Sequence, residues 1–299
     1  MVTLRQLRYF EALAREGHFG RAAAAVHVSQ PALSAQIMEM EADLGARLVE
    51  RGRRQILLTR EGRRVLAHAG TVLSAMAELE RAARPSAAPL SGPFSLGLIP
   101  TVAPYLIPKL VPYLNARFPD AEIALKEAVT DRLLEDLEDG ALDAVVAALP
   151  LERDGLAAQK LFDDRFFMAV ARNNTTILAS PLTEASIVPD RLLLLEEGHC
   201  LRDQALALCA RTPRRSIVNV GATSMTTLLQ MVANDMGMTL IPEMAIPAET
   251  ARTALTILPF AEPVPSRAIG LAWRRSDKRT DDFSALAEAV IACRDDRHG

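Results

Sequence analysis

Apolar positions in the first 45 residues recur at helical spacing. Leu4, Leu7, Phe10 and Leu13 form one stripe that ends at Gly17, and Thr3 with Gln6 fits a capping box at its start. An Ala-rich second helix is expected over about residues 20–25. A third opens at Ser29 as N-cap, tolerates Pro31 in its first turn, presents Leu33, Ile37, Met40 and Leu44 on one face, and stops at Gly45. The second and third helices, with a short break between them, have the proportions of a helix-turn-helix. Leu48 to Leu58 then holds two short apolar runs around a basic, Gly-containing turn, which predicts a β-hairpin wing. Residues 59–84 predict one long helix whose Val65, Ala69, Val72, Met76, Leu79 and Ala83 repeat like a heptad seam. Such a helix either pairs with a second copy or packs in cis, and a Pro- and Ser-containing linker over 84–93 follows it.

Beyond the linker the pattern changes to strand candidates alternating with helices. Strands are expected at 94–99, 121–127 and 142–148, with helices at 104–117 and 131–139 between them. After an interruption around 155–170 the rhythm resumes with Leu192 to Leu195, helix 201–210, strand 216–220, helix 224–234 and strand 238–241. It closes with strand 267–273 and helix 281–294. This order predicts an α/β body with a largely parallel sheet, in two parts with a cleft between them.

Charge sharpens the division. The chain of 299 residues has a net charge of −3, yet residues 1–85 hold 13 Arg and no Lys against nine acids, leaving the remainder at −7. A basic N-terminal unit on an acidic body fits a polyanion binder that carries a second function. Arg51, Arg53 and Arg54 at the wing tip suit phosphates or a minor groove. Ser29, Gln30 and Ser34, with Pro31 among them at the start of the third helix, are placed to face base edges. No apolar run reaches the roughly 18 residues of a membrane span, and the first 25 residues lack a secretory signal, so a cytoplasmic, nucleoid-associated protein is expected. Three cysteines are too few and too odd for a disulfide framework. No phosphate loop, zincin motif or nucleophile elbow is present, and no cofactor or metal is expected.

The segment Phe19 to Leu44, with Arg21-Ala22-Ala23, Val28-Ser29-Gln30-Pro31-Ala32-Leu33-Ser34 and Leu44-Gly45, followed by Leu58-Thr59-Arg60-Glu61-Gly62, resembles the DNA-binding domain of LysR-type transcriptional regulators. It departs from many of them at Gly20, where a polar helix cap is usual. The resemblance implies a winged helix-turn-helix over 1–58 and a dimerising linker helix and hinge over 59–91. It also implies an effector module similar to periplasmic binding proteins over 92–299, with subdomain I at about 92–163 and 267–299 and subdomain II at about 164–266. Gly97 to Leu106 and Glu197-Gly198-His199-Cys200-Leu201-Arg202-Asp203-Gln204-Ala205, with Cys209 after it, are similar to the peroxide-sensing OxyR branch of that family.

By that resemblance Cys200 is the peroxide-reacting thiol and Cys209 its resolving partner in a reversible disulfide. Thr101, Thr130 and His199 line the peroxide pocket, and Arg267 lies near the thiol. The implied partners are operator DNA of oxidative-stress genes, hydrogen peroxide, a homodimer or homotetramer, and RNA polymerase, with no membrane. Cysteines nine residues apart on one helix are separated by about 13.5 Å along its axis, whereas a disulfide needs Cα atoms within about 7 Å, so the bond would require that helix to unwind. At the helix start Cys200 would gain thiolate character from free N–H groups and from Arg202. Each residue also has a plainer reading: a buried small apolar thiol for Cys200, Cys209 and Cys293, helix caps for Thr101, Thr130 and His199, and surface or packing roles for His18, His27, His68 and His298. Two other function classes remain open at this point, a regulator whose cleft binds a metabolite and a thiol peroxidase.

Overall fold

The structure, a computed structural model, describes all residues except 52–55, 83–87, 174–180, 184–186, 188–190, 209–221 and 296–299. The wing-tip residues Arg53 and Arg54, the thiol of Cys209 and the strand expected at 216–220 lie outside the described residues. The chain divides into two compact units, Met1–Ala87 together with Glu138–Ala141, and Ala88–Leu137 together with Leu142–Gly299.

In the first unit, helices α1 (Leu4–Glu16), α2 (Phe19–Ala25) and α3 (Gln30–Leu44) surround a core of Phe10, Leu13, Leu33, Ile37 and Met40. The Thr3–Gln6 capping box forms, and Ser29 caps α3 through a bond from the Ala32 N–H. Leu44, expected on the buried face of α3, is instead exposed: it is the last helical residue, beyond the turn that Met40 anchors. His18 has a role its sequence did not announce, since its Nδ1 accepts from the Gly20 N–H and caps α2. Strands β1 (Val49–Arg51) and β2 (Ile56–Leu58) pair antiparallel as the wing, and α4 (Arg60–Ala82) follows. Gly62 is required where α4 begins, because a Cβ there would collide with the Leu48 carbonyl oxygen.

The second unit holds one curled, seven-stranded sheet. Its strands are β3 (Gly92–Leu98), β4 (Ala121–Glu127), β5 (Ala144–Leu149), β6 (Leu156–Ala171), β7 (Thr239–Pro242), β8 (Leu255–Pro259) and β9 (Ser266–Arg274). They lie in the order β4-β3-β5-β9-β6-β7, with β8 also on β6. Helices α5 (Ala103–Arg117), α6 (Thr130–Glu138), α7 (Cys200–Leu208), α8 (Met225–Ala233), α9 (Ile246–Thr250) and α10 (Thr280–Asp295) complete it.

Two expectations are corrected. Among the described strands of this sheet, the β3–β4 and β3–β5 pairs are parallel and the other pairs are antiparallel. The stretch 155–170 is no interruption but the 16-residue strand β6. The two corrections have one cause: the chain enters the second half of the sheet along β6 and returns along β9, so these long neighbours must run in opposite directions. Leu192 to Leu195 contributes isolated parallel bridges to Met238 and Ala222 rather than a strand.

Two hydrophobic cores result. The first gathers Leu96, Leu98, Val145, Val146, Ile269, Leu271, Phe283 and Val290 beneath α5 and α10. The second gathers Phe166, Met168, Leu195, Leu201, Leu228, Leu229, Val232 and Ile241 around α7 and α8. Asp164 and Arg267 face one another across β6 and β9, where β6 stops pairing with β9 and begins pairing with β7 and β8.

Candidate functional site

Three chain segments from different elements meet around Cys200. Ile99 to Thr101 leads into α5, Val129 and Thr130 open α6, and Gly198 and His199 lead into α7, whose first residue is Cys200. Each segment is short and ends at a helix N-terminus; at α5 the Val102 and Ala103 N–H groups are already taken by the Ile99 carbonyl and Pro104 has none. Gly198 has φ of +91°, a left-handed turn that L side chains rarely adopt, and it swings the chain so that Cys200 reaches inward. The sulfur packs against the first core while its helix is anchored in the second through Leu201 and Ala205.

The gap between these segments, partly open to solvent, measures about 160 Å³ between atoms and is too narrow for a water-sized molecule unless its walls give. Its polar lining is short of partners. Thr130 Oγ1 and His199 Nδ1 are buried without a hydrogen bond from the protein, and His199 is only 7% exposed. The Thr130 hydroxyl lies close enough to the thiol to favour its anion without reaching full hydrogen-bond geometry. Since Nδ1 makes no bond, His199 does not cap α7 through it. Burial keeps its imidazole below the ordinary histidine pKa, against the pull of Glu196, and so favours the neutral ring.

Thr101 is held differently. Arg267 Nη1 donates to Thr101 Oγ1 at 2.7 Å and Nη2 to the Thr101 carbonyl at 3.0 Å. The guanidinium is in turn fixed by Asp164 Oδ2, at 3.1 Å from Nε and 2.9 Å from Nη2. Asp164 Oδ1 accepts from the Met244 N–H at 3.2 Å. The Arg267 and Asp164 side chains are 0% and 2% exposed.

Burial pushes the Cys200 thiol above its usual pKa, while Arg267, Thr130 and the Leu201 N–H pull the other way and Asp203 adds to the rise. The expectation of a thiolate favoured by the helix start and by Arg202 is therefore reversed. Burial outweighs the opposing pull of Arg267, Thr130 and the Leu201 N–H, and the influential cation is Arg267. Arg202 Nη1 donates to the Leu195 carbonyl at 3.0 Å and is not among the residues lining the cavity. Asp164 escaped the sequence reading. Its signal was the period-two alternation of β6, which buries Phe162, Asp164 and Phe166 on one face while Asp163 and Arg165 are exposed.

In the first unit, Gln30 and Pro31 are exposed at the start of α3, and Ser34 is half-buried. Ser29 is exposed too, but its hydroxyl is engaged as the cap. Arg51 ends β1 on the same hairpin. Among the described residues no group of three or more His, Cys, Asp or Glu side chains could hold a metal, and no helix is long and apolar enough to cross a membrane.

A helix-turn-helix followed by a two-core α/β unit is a recognised combination. Residues 4–63 match the family described as bacterial regulatory helix-turn-helix protein, lysR family, and residues 87–293 match the LysR substrate binding domain. The DNA-binding transcriptional dual regulator OxyR of Escherichia coli strain K12 is 40% identical over 97% of this chain and 95% of its own length. The chain belongs to the OxyR branch of the LysR-type transcriptional regulators. Such a protein is a regulator rather than an enzyme. Full-length OxyR of Pseudomonas aeruginosa, solved as a variant, superposes on this LysR-type regulator with a TM-score of 0.83. It is 33% identical, over 98% of this chain and 99% of that one. A hydrogen-peroxide-bound OxyR mutant of Corynebacterium glutamicum gives a TM-score of 0.68 at 35% identity, over 97% and 92%.

Proposed function

We propose that this LysR-type regulator senses hydrogen peroxide at Cys200 and converts the oxidation into a change in operator binding at oxidative-stress genes. One observation carries the reading: the Cys200 sulfur shares a tight cavity with two buried, unpartnered polar atoms, Thr130 Oγ1 and His199 Nδ1, and with the Thr101 hydroxyl held by Arg267. Once the walls give, a molecule as small as hydrogen peroxide, with both donors and acceptors, can pair with all three, whereas a bulky metabolite needs a far larger opening. The relatives named for hydrogen peroxide agree in chemistry.

The Cys200 thiolate attacks one peroxide oxygen, the O–O bond breaks, and the departing hydroxide takes a proton and leaves as water. Thr101 and Thr130 hydroxyls stabilise the leaving oxygen. The peroxide supplies the polar partner that burial denied the sulfur. The sulfenic acid at Cys200 then condenses with the Cys209 thiol, forming the S–S bond and releasing a second water, and a cellular thiol reductant reverses the step. Arg202 serves the pocket indirectly, bracing the loop before His199 through the Leu195 carbonyl.

In this reading residues 1–58 bind DNA, 59–91 pair protomers and 92–299 carry the sensor. The sensor's subdomain I spans about 92–163 and 267–299, and its subdomain II about 164–266. Gln30, Pro31 and Ser34 approach base edges, Ser29 holds the helix start, and Arg51, Arg53 and Arg54 meet phosphates. A homodimer or homotetramer acts in the cytoplasm at the nucleoid and contacts RNA polymerase. The test is mass spectrometry of thiol connectivity after limiting peroxide, with DNA footprints of the same samples. A Cys200–Cys209 bond that rises together with a changed footprint is expected. A footprint that changes while both thiols stay reduced would transfer the function to a metabolite in the cleft.

A further inference from the structure

Asp164 is a buried carboxylate that the peroxide chemistry above does not use, and it holds Arg267, the cation that acts on the Cys200 thiol. We propose that Asp164 is a positioning residue for the peroxide reaction: by fixing Arg267 it turns the Thr101 hydroxyl proton toward the Cys200 cavity and damps the guanidinium charge felt there. This rests on the sensor reading and adds to it a residue that sets the sensor's threshold.

The geometry runs in one chain of bonds. Asp164 and Arg267 are direct cross-strand partners on β6 and β9, and the carboxylate takes Nε and Nη2, which leaves Nη1 to Thr101 Oγ1. A hydroxyl that accepts from a cation must direct its own proton elsewhere. Thr101 lines the cavity beside Cys200, so the donor that a leaving peroxide oxygen needs is oriented before peroxide arrives. Asp164 also ties the site to the second half of the sheet, because its other oxygen takes the Met244 N–H in the turn after β7.

The second effect is electrostatic. Arg267 favours the Cys200 anion. Burial raises the pKa of Asp164 against the pull of Arg267 and the Met244 N–H, and in its ionised form, bonded to the same guanidinium, it partly cancels that field. Other titratable groups around the network include Glu243 on the turn after β7, His199 before α7, Asp203 within it, and Tyr105 of α5, which feels the Arg267 charge while its hydroxyl donates to Glu249. None of them is bonded to Arg267 as Asp164 is. Asp164 therefore does two opposed things: it makes peroxide cleavage competent and keeps the resting thiol protonated, which suits a sensor that must stay silent at low oxidant.

The experiment compares two reagents on the reduced full-length chain. Hydrogen peroxide needs the oriented donor, whereas iodoacetamide needs only an accessible thiolate. Both rate constants at Cys200 are measured across pH, by peptide mass spectrometry, for wild type, Asp164→Asn and Asp164→Ala. Asp164→Ala is expected to lower the peroxide rate roughly 10–100-fold while the iodoacetamide rate changes far less, since misplacing a positioning group costs that order. Asp164→Asn, which keeps the shape and loses the charge, is expected to move the iodoacetamide profile to lower pH. In a Thr101→Val background, Asp164→Ala should not lower the ratio of the two rates further, because the residue acts through that hydroxyl.

A folded variant with an unchanged ratio and profile overturns the proposal. So does a parallel fall of both rates, which would mark a structural role only, or full additivity with Thr101→Val. If the Asp164 variants do not fold, Arg267→Lys decides: it keeps a cation opposite Asp164 but lacks the second donor, so an unchanged ratio overturns the proposal. A wild-type Cys200 inert to peroxide would instead sink the sensor reading, and this proposal with it.

Discussion

Cys200 occupies a position that burial makes unfavourable for its own reactive form. Removing the sulfur from water penalises the anion, and Arg267, the Thr130 hydroxyl and the Leu201 N–H offset this only in part. The reactive species is the thiolate, so while the pH stays below the raised pKa each added pH unit should raise the oxidation rate about tenfold. The expected profile therefore keeps climbing above the pH at which an ordinary thiol would level off. Stopped-flow oxidation of the reduced protein between pH 6 and about 10 checks this, and a plateau near neutrality would contradict the burial argument. Cys200, Thr101, Thr130 and His199 were legible because their local motifs are similar to a known family. Asp164 was not, because the Asp163-Asp164 pair reads as solvated until strand pairing shows which member points inward. Arg202 shows the opposite error. Nearness in sequence placed it beside the thiol, but a helix carries residues i and i+2 to different sides.

At the scale of elements, periodicity found nearly every helix, and caps marked their starts, as at Thr3 and Ser29. Strand direction was not legible, because it depends on how the chain crosses between the two cores and not on any local pattern. The heptad seam of α4 divides in the folded chain. Val65 packs against the core of the first unit and Ala69 is buried, whereas Val72 and Leu79 are 45% and 63% exposed. The first half thus packs in cis, and the second half leaves apolar side chains exposed, as the pairing expectation requires. Apolar side chains left open at a and d positions are expected to meet a second copy. Placing Glu at both Val72 and Met76 would set like charges across that contact and should shift the protein toward monomer, with weaker cooperative binding to long operators. Sedimentation velocity reads the mass directly, and an unchanged oligomer would remove α4 from the interface.

Considered as a whole, the sensor unit places its reactive atom where two cores meet. Leu201 and Ala205 hold α7 in the second core, yet the Cys200 sulfur at its first residue rests against the first. Helix α7 is described to Leu208; if it ran on through Cys209 the two cysteines would lie about 13.5 Å apart along its axis, too far for a bond. In the proposed switch, forming that bond would therefore draw the sulfur out of the first core and undo α7, giving up the burial of Leu201 and Ala205. One atom then belongs to two incompatible packings, the condition for a two-state switch. The two cysteines should fail in different ways. Cys200→Ser cannot accept the peroxide oxygen, so its protease pattern over residues 198–208 and its DNA footprint should not change when peroxide is added. Cys209→Ser should still consume one equivalent of peroxide but stop at the sulfenic acid, trapped by dimedone, with α7 still resistant to protease. Limited proteolysis and intact mass on the same time course separate the steps. If Cys209→Ser loses protection over α7 as fast as wild type, sulfenic acid formation alone breaks the packing, and the covalent bond is its consequence rather than its cause.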